Sequence, residues 1–286
     1  MTSNLDLRPS SIAGQWYSAD PSGLAASVDR YINSARLPDL EGKLIGIMTP
    51  HAGHRFSGAV AGYAFAAIRN LTPDVVAVLS PMHYFTEYPL LTTAYRAYAT
   101  PLGSLPLDTE GMAALNTGLH GELGFGLTPV KNDPEHSLEI ELPFLQRALQ
   151  NPFFLLPIMV RDASPRVTRA LGNCLAKVLQ ERNALLVAST DLSHFYPREV
   201  AEVLDRAVLR QVEALDPEGV LQVEEEGKGF ACGRGALAAV LWAAKKLGAD
   251  TARVLHHATS GDITGDYTQV VGYAAAVFTQ KARSSP

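Results

Sequence analysis

The fold class of this chain is decided by residues 44–54, which read LIGIMTPHAGH. The first six residues form an almost uninterrupted apolar run, which is typical of a strand that is buried on both faces of a sheet. The run ends in Thr49, Pro50 and His51, and a helical pattern follows. The segment therefore predicts one strand, loop and helix unit of an α/β fold.

The same unit recurs along the chain. Apolar runs of similar character predict strands over 44–49, 75–80, 154–160, 184–189, 253–258 and 270–278. Helical patterns predict helices over 22–34, 57–69, 109–117, 135–150, 165–181, 198–214, 217–225 and 233–247. We therefore predict a single α/β domain over residues 1–286, with one continuous, mixed, largely parallel central sheet flanked by helices.

Composition narrows the classes of function. Hydrophobic residues make up 47% and charged residues 19% of the chain, which predicts a large buried core. The net charge is -5 and no basic cluster occurs, so we expect no nucleic-acid partner. The longest apolar runs, such as 235–244, are too short for a membrane span, and the first residues lack a secretory pattern. We expect a cytoplasmic protein whose two cysteines are free thiols.

Histidines follow three of the predicted strands. His51 follows the first strand, His83 the second, and His194 lies in the polar segment after the strand 184–189. In an open α/β sheet, ligands bind beyond the carboxyl ends of the strands. Imidazoles from loops distant in sequence are common ligands of zinc, copper and iron. These positions predict a transition-metal site.

The two cysteines have different predicted roles. Cys232 opens a predicted helix, where unpaired N–H groups lower the pKa of a thiol and favour the thiolate that binds metals. We therefore predict Cys232 as a metal ligand beside His51 and His83. Cys174 lies inside a helical pattern and is predicted to be a small buried apolar residue.

Further polar residues are candidates for contacts with a substrate. Asp191 and His194 are three residues apart, which is compatible with a general base and the carboxylate that orients it, or with a carboxylate that caps the next turn. His136 follows Asp133-Pro134, a pair that predicts a helix start, and is expected to point into the same crevice. Arg234 lies two residues after Cys232, where its guanidinium could bind a carboxylate or a phosphate.

Six segments in sequence order resemble the Memo family, which is also found in the bacterial and archaeal AmmeMemoRadiSam systems. They are AGQWY at 13–17, PHAG at 50–53, PMH at 81–83, HSLE at 136–139 with Leu142-Pro143, Thr190-Asp191 with His194, and CGR at 232–234. The resemblance implies a fold similar to class III extradiol dioxygenases of the protocatechuate 4,5-dioxygenase type. It also implies metal ligands at His51, His83 and Cys232, with His194 at the position of the dioxygenases' acid-base histidine.

The chain departs from the family pattern near the implied pocket mouth. His54 and Arg55 stand where the family usually carries tyrosines, and Tyr84 stands where a second histidine is usual. We expect His54 and Arg55 to contact a substrate. A thiolate in place of the dioxygenases' carboxylate ligand changes the redox potential and the ligand preference of an iron ion.

Three functions follow from these residues and from the resemblance. The first is a metal-dependent oxidoreductase that uses Fe(II), with copper or zinc as alternatives. The second is a metal-binding, peptide-binding or anion-binding signalling protein without catalysis, which Arg55 and Arg234 would support if both point into the crevice. The third is a metal-dependent hydrolase. The expected partners are a small-molecule or peptide substrate and the radical-SAM proteins of AmmeMemoRadiSam systems.

Overall fold

A computed structural model describes residues 6–281 of the chain. Its strands are β1 (Leu7–Arg8), β2 (Lys43–Thr49), β3 (Val75–Pro81), β4 (Leu90–Thr93), β5 (Ala97–Thr100), β6 (Gly103–Pro106), β7 (Thr128–Val130), β8 (Phe154–Val160), β9 (Ala184–Ser189), β10 (His194–Tyr196), β11 (Thr251–Thr259) and β12 (Val270–Gln280). Its helices are α1 (Pro21–Ser34), α2 (His54–Ala67), α3 (Thr109–Leu123), α4 (Leu142–Ala148), α5 (Pro165–Leu179), α6 (Arg198–Glu213), α7 (Pro217–Glu225), α8 (Arg234–Lys246) and α9 (Gly261–Thr264). Residues 1–5 and 282–286 of the predicted domain lie outside this range.

The central sheet confirms the predicted α/β class. Across residues 6–281 its strand order is β10-β12-β2-β9-β3-β8-β4-β7, with β11 paired to β12. The four central strands β2, β9, β3 and β8 are mutually parallel. Strands β10, β11 and β12 and the β4–β8 pair are antiparallel, while the edge pair β4–β7 is parallel, so the sheet is mixed around a parallel centre.

Both faces of the sheet are covered, and β3 shows why its sequence is apolar throughout. Val75, Ala77 and Leu79 pack on the side of α3, α5 and α8. Val76 and Val78 pack on the side of α1, α2 and α4. Because successive strand residues point to opposite faces, a strand between two helix layers needs an apolar residue at every position.

A second, smaller sheet corrects the prediction of one continuous sheet. It has the order β1-β5-β6 within the described residues. Its strands have two to four residues each, too few to show an apolar period in sequence. Arg8 in β1 is nevertheless buried, and its guanidinium pairs with Asp133 and Glu139 at 2.7 Å each.

The helix predicted over 135–150 is also corrected. Residues 133–138 are not helical, a single 3-10 turn spans Glu139–Glu141, and α4 covers only Leu142–Ala148. His136 therefore lies in an irregular segment. The helix predicted over 109–117 continues to Leu123 in α3, and α2 begins at His54, three residues before its predicted start.

Among the helices of residues 6–281, none has the length and apolarity that a membrane crossing requires.

Candidate metal centre

The parallel centre of the sheet brings the predicted site residues to one edge. His51 follows β2, Thr190 and Asp191 follow β9, and His83 follows β3. Because β2, β9 and β3 are parallel neighbours, their carboxyl ends lie side by side. The sheet topology thus places segments from three parts of the chain around one crevice.

Three imidazoles meet in this crevice. The ligand atoms of His51, His83 and His136 all lie within 4.8 Å of one another, so the three side chains could hold one metal ion. The rings of His83 and His136 are stacked, with centroids 4.8 Å apart. His136, predicted as a substrate contact, is thus also a candidate ligand. Trp16 covers its ring with centroids 4.1 Å apart.

Cys232 lies beside His51, but its Sγ does not belong to the group of ligand atoms that lie within 4.8 Å of one another. Its Sγ is 3.2 Å from Nε2 of His51, and its backbone N–H donates to the carbonyl of Asp191 at 3.2 Å. Burial and the nearby Asp191 carboxyl raise the pKa of the thiol far above its usual range. The predicted low pKa is therefore wrong for the metal-free protein, because burial outweighs the N-terminus of α8. A bound cation would reverse this balance.

Hydrogen bonds orient two of the imidazoles. Nδ1 of His83 lies 2.9 Å from Oε1 of Glu135, whose other oxygen accepts the His83 backbone N–H at 2.6 Å. Nδ1 of His51 lies 2.9 Å from Oγ of Ser189, which is 2.8 Å from Oε1 of Glu141. With each Nδ1 engaged in this way, Nε2 of both rings is left for a metal, the arrangement common around ligating histidines.

The charge state of these groups suits metal binding. Burial, with the neighbouring His83 and His136, lowers the pKa of His51 well below its usual range. Burial also lowers the pKa of His136 to about 4. Both imidazoles are therefore neutral near pH 7, the form that coordinates metals. Burial alone would raise the pKa of Glu135, but hydrogen bonds from His83 and from backbone N–H groups hold it far below its usual range.

Asp191 and His194 do not form the predicted pair. The Asp191 carboxylate accepts the backbone N–H of His51 at 2.7 Å, and burial raises its pKa to about 7. It therefore holds the loop after β2 rather than the ring of His194. The His194 ring packs between Phe195 and Phe230, and its buried Nδ1 has no partner among the described residues.

The remaining predicted substrate contacts fall in different places. Arg234 lines a cavity of about 290 Å³ together with His83 and Cys232, and it forms an ion pair with Glu224. His54 is buried, with its ring 4.8 Å from that of Phe144 and its Nε2 bonded to the carbonyl of Ile140. Arg55 is exposed and lies over the ring of Phe56. Only Arg234 of these three lines the cavity.

Sequence reasoning missed the groups that orient the imidazoles: Glu135, Ser189 and Glu141. All three are buried. A signal was present, because residues 138–142 read LEIEL and place two carboxylates inside an apolar run. Charged residues in such a run need buried partners. Only the fold shows which partners they have.

Comparisons with known proteins identify the same family over nearly the whole chain. The family model described as Memo-like protein matches residues 8–277. A MEMO1 family protein of Methanopyrus kandleri is 36% identical over 281 residues, covering 95% of this chain and 98% of that protein. A MEMO1 family protein of Nitrosopumilus maritimus is 32% identical over 278 residues, covering 95% and 99%.

Among solved structures, the crystal structure of uncharacterized protein JW3007 from Escherichia coli K12 matches with a TM-score of 0.44 and 15% identity, covering 81% of this chain and 99% of that one. The sequence matches in two archaea and the family model span nearly the entire length of the chain. On this evidence the chain belongs to the Memo-like protein family.

Proposed function

We propose that this protein binds one transition-metal ion through His51, His83 and Cys232 and acts as a metal-dependent oxidoreductase, with Fe(II) as the metal and copper or zinc as alternatives. The observation that carries the proposal is the 3.2 Å separation of the Cys232 Sγ from Nε2 of His51, beside the cluster of three histidines. Metal–nitrogen and metal–sulfur bonds are roughly 2.0 to 2.3 Å long, so ligand atoms on one ion lie about 3 to 4 Å apart.

Hydrogen bonds within the protein orient the candidate histidine ligands for a metal. Glu135 and Ser189 engage Nδ1 of His83 and of His51, which leaves both Nε2 lone pairs for coordination. The Asp191 carboxylate holds the backbone of His51 in place. A bound Fe(II) would supply redox chemistry and Lewis acidity at this crevice.

We assign proton transfer to His194. Burial lowers the pKa of its ring, so the ring is neutral near pH 7 and can take up a proton. Its Nδ1 has no partner among the described residues, and its ring contacts Phe230, which lines the cavity beside His83 and Cys232. Arg234 lines the same cavity and is the substrate contact that we retain from the sequence.

The position of Arg55 favours the enzyme over a signalling protein that binds anions. That alternative called for both Arg55 and Arg234 in the crevice, and Arg55 lies over Phe56 on the surface. The cavity of about 290 Å³ suits a small molecule better than a peptide. The radical-SAM partner proteins of AmmeMemoRadiSam systems remain a prediction from the resemblance.

The test is a comparison of metal content and turnover after anaerobic purification and loading with Fe(II), Cu(II) or Zn(II). We expect Cys232→Ser to lose metal, because it removes a charged ligand. We expect His194→Gln to keep its metal and to lose roughly 10²-fold to 10⁴-fold of any oxygen consumption.

His136→Gln decides between the two roles of His136. Retained metal supports the predicted substrate contact, and lost metal makes His136 a ligand. If His194→Gln loses metal as completely as Cys232→Ser, the assignment of His194 is wrong. If the unmodified protein binds none of the three ions, the proposal fails.

A further inference from the structure

A cavity of about 290 Å³ opens beside the metal centre, and its charges are unevenly distributed. Its lining includes the candidate ligands His83 and Cys232, the charged residues Arg161, Arg234 and Glu224, and the apolar residue Phe230. The two guanidiniums and the one carboxylate in this lining sum to one net positive charge, although the whole chain carries -5. A locally positive cavity on an acidic protein attracts anions.

The two arginines are not equivalent. Arg234 is half-buried and forms an ion pair with Glu224, whose second carboxylate oxygen accepts the backbone N–H of Ala231 at 3.2 Å. Arg161 directly follows β8 and is exposed, and its guanidinium has no hydrogen bond or ion pair with any of residues 6–281. Arg161 is therefore the cation in this cavity whose charge is not already matched by a protein carboxylate.

The position of Arg161 follows from the same topology that builds the metal centre. Strand β8 pairs in parallel with β3, and Pro81 lies opposite Val160 in the register. The residues after these two strands, His83 and Arg161, therefore reach the same cavity from adjacent strand ends. A ligand bound there would contact both this cation and the candidate metal ligands.

We propose that this cavity binds a small organic molecule carrying one oxyanion group, a carboxylate or a phosphate, which Arg161 pairs with while the rest of the molecule lies toward His83 and Cys232. Guanidinium groups form strong, directional hydrogen bonds with both oxyanions. Phe230, Met82 and Val160 line the cavity and supply apolar contacts for the rest of the molecule. The inference names a substrate class for the proposed metal site, and its oxyanion contact depends on Arg161 rather than on the metal.

The test uses three small probes of similar size: benzoate, phenyl phosphate and the neutral benzamide. Binding to the full chain, both metal-free and loaded with Zn(II), is followed by nuclear magnetic resonance titration. We expect at least one of the two anions to bind about tenfold more tightly than benzamide, as for one charge-assisted contact. The better anion tells whether the cavity prefers a carboxylate or a phosphate.

Variants test whether the preference for an anion over benzamide arises in this cavity. Arg161→Gln should reduce the anion preference to within about threefold, whereas the matched control Arg206→Gln, which changes an exposed arginine on α6, should leave it unchanged. Glu224→Gln removes the opposing carboxylate and should strengthen anion binding by about threefold. Equal binding of all three probes, an equal effect of Arg161→Gln and Arg206→Gln, or weaker anion binding by Glu224→Gln would each overturn the proposal.

Zinc content is measured on the same samples, so the two proposals can fail separately. Zinc binding without an anion preference refutes the oxyanion site and leaves the metal centre standing. If the anion preference depends on Arg161 but the protein binds no zinc, the oxyanion site is supported and the metal centre is refuted.

Discussion

At the scale of single residues, the site depends on buried carboxylates as much as on the candidate ligands. Glu135, Glu139 and Glu141 lie within seven residues of one another, and all are buried. Glu135 contacts His83, Glu141 contacts Ser189 and Thr49, and Glu139 pairs with Arg8. Neighbours in sequence therefore serve two purposes, since two of them support the imidazoles and one anchors the start of the chain.

Replacing Glu135 should weaken metal binding. Glu135→Gln removes the charge that fixes the Nδ1 proton of His83, so we expect a loss of roughly 10-fold to 100-fold in metal affinity. The matched control Glu139→Gln removes a buried carboxylate that contacts none of the candidate ligands. It should lower the free energy of unfolding while metal affinity stays unchanged. Competition with a chelator measures affinity, and equal losses in both variants would contradict the role of Glu135.

Metal affinity should increase with pH through neutrality. Burial raises the pKa of the Cys232 thiol, so the metal-free protein holds a proton that metal binding must release. Loss of one proton gives an affinity that rises about tenfold per pH unit. The imidazoles of His51 and His136 are already neutral there and add no slope.

The slope is measured by titrating Zn(II) against a chelator over a range of about two pH units around neutrality. In Cys232→Ser the slope should flatten, because the titrating thiol is gone. A flat profile for the unmodified protein would show that the thiol is not a ligand or is already ionised.

At the scale of elements, the Asp-Pro pair marks a helix start at one position and not at another. Aspartate followed by proline is typical of a helix start, and this pair occurs at Asp133 and at Asp216. Asp216 does cap α7, accepting the Gly219 N–H at 3.0 Å. Asp133 instead pairs with the buried guanidinium of Arg8, which is 125 positions away in sequence. A buried cation needs a carboxylate more than a helix end does, because its desolvation costs more than an unmade cap.

The cap of α7 should contribute a measurable part of the stability. Asp216→Ala removes the acceptor for the Gly219 N–H, and we expect it to lower the free energy of unfolding by about 1 kcal/mol. The control Glu218→Ala changes an exposed carboxylate in the same turn and should change stability by less than about 0.5 kcal/mol. Urea unfolding compares the two, and equal effects would mean that the side chain of Asp216 is not the cap.

At the scale of the whole molecule, Arg8 connects the beginning of the chain to the site. Its guanidinium pairs with Asp133 and Glu139 and also donates to the carbonyl of Glu135, the residue that contacts His83. The irregular segment 133–138 is therefore held between β1 and the metal centre. This connection explains why the segment does not join α4.

Removing Arg8 should destabilise the protein strongly. Arg8→Met leaves two buried carboxylates without their cation, for which we expect a loss of about 3 to 5 kcal/mol in the free energy of unfolding. Arg206→Met, at an exposed arginine, should stay within about 0.5 kcal/mol. Chemical denaturation measures both, and a loss below about 1 kcal/mol for Arg8→Met would show that the network is not structural.

Much of the fold was predictable from local pattern. The strands over 154–160 and 184–189 have the predicted bounds, and the four other predicted strands differ from the structure by three residues at most. A strand buried on both faces must be apolar at successive positions, so its sequence alone identifies it. The short strands β1, β4 to β7 and β10 lack such a run and were missed.

The sequence alone also determined which strand ends carry histidines and that Cys232 precedes a helix, since both follow from local order. Only the tertiary structure decided how the polar groups pair. His83 and Glu135 are 52 positions apart, and His51 and Ser189 are 138 apart. Burial by surrounding elements likewise raises the pKa of the Cys232 thiol, whereas its position before a helix would lower that pKa. The physical reason is that hydrogen bonds and desolvation in a core depend on which segments meet in space, and no periodicity within a segment encodes that meeting.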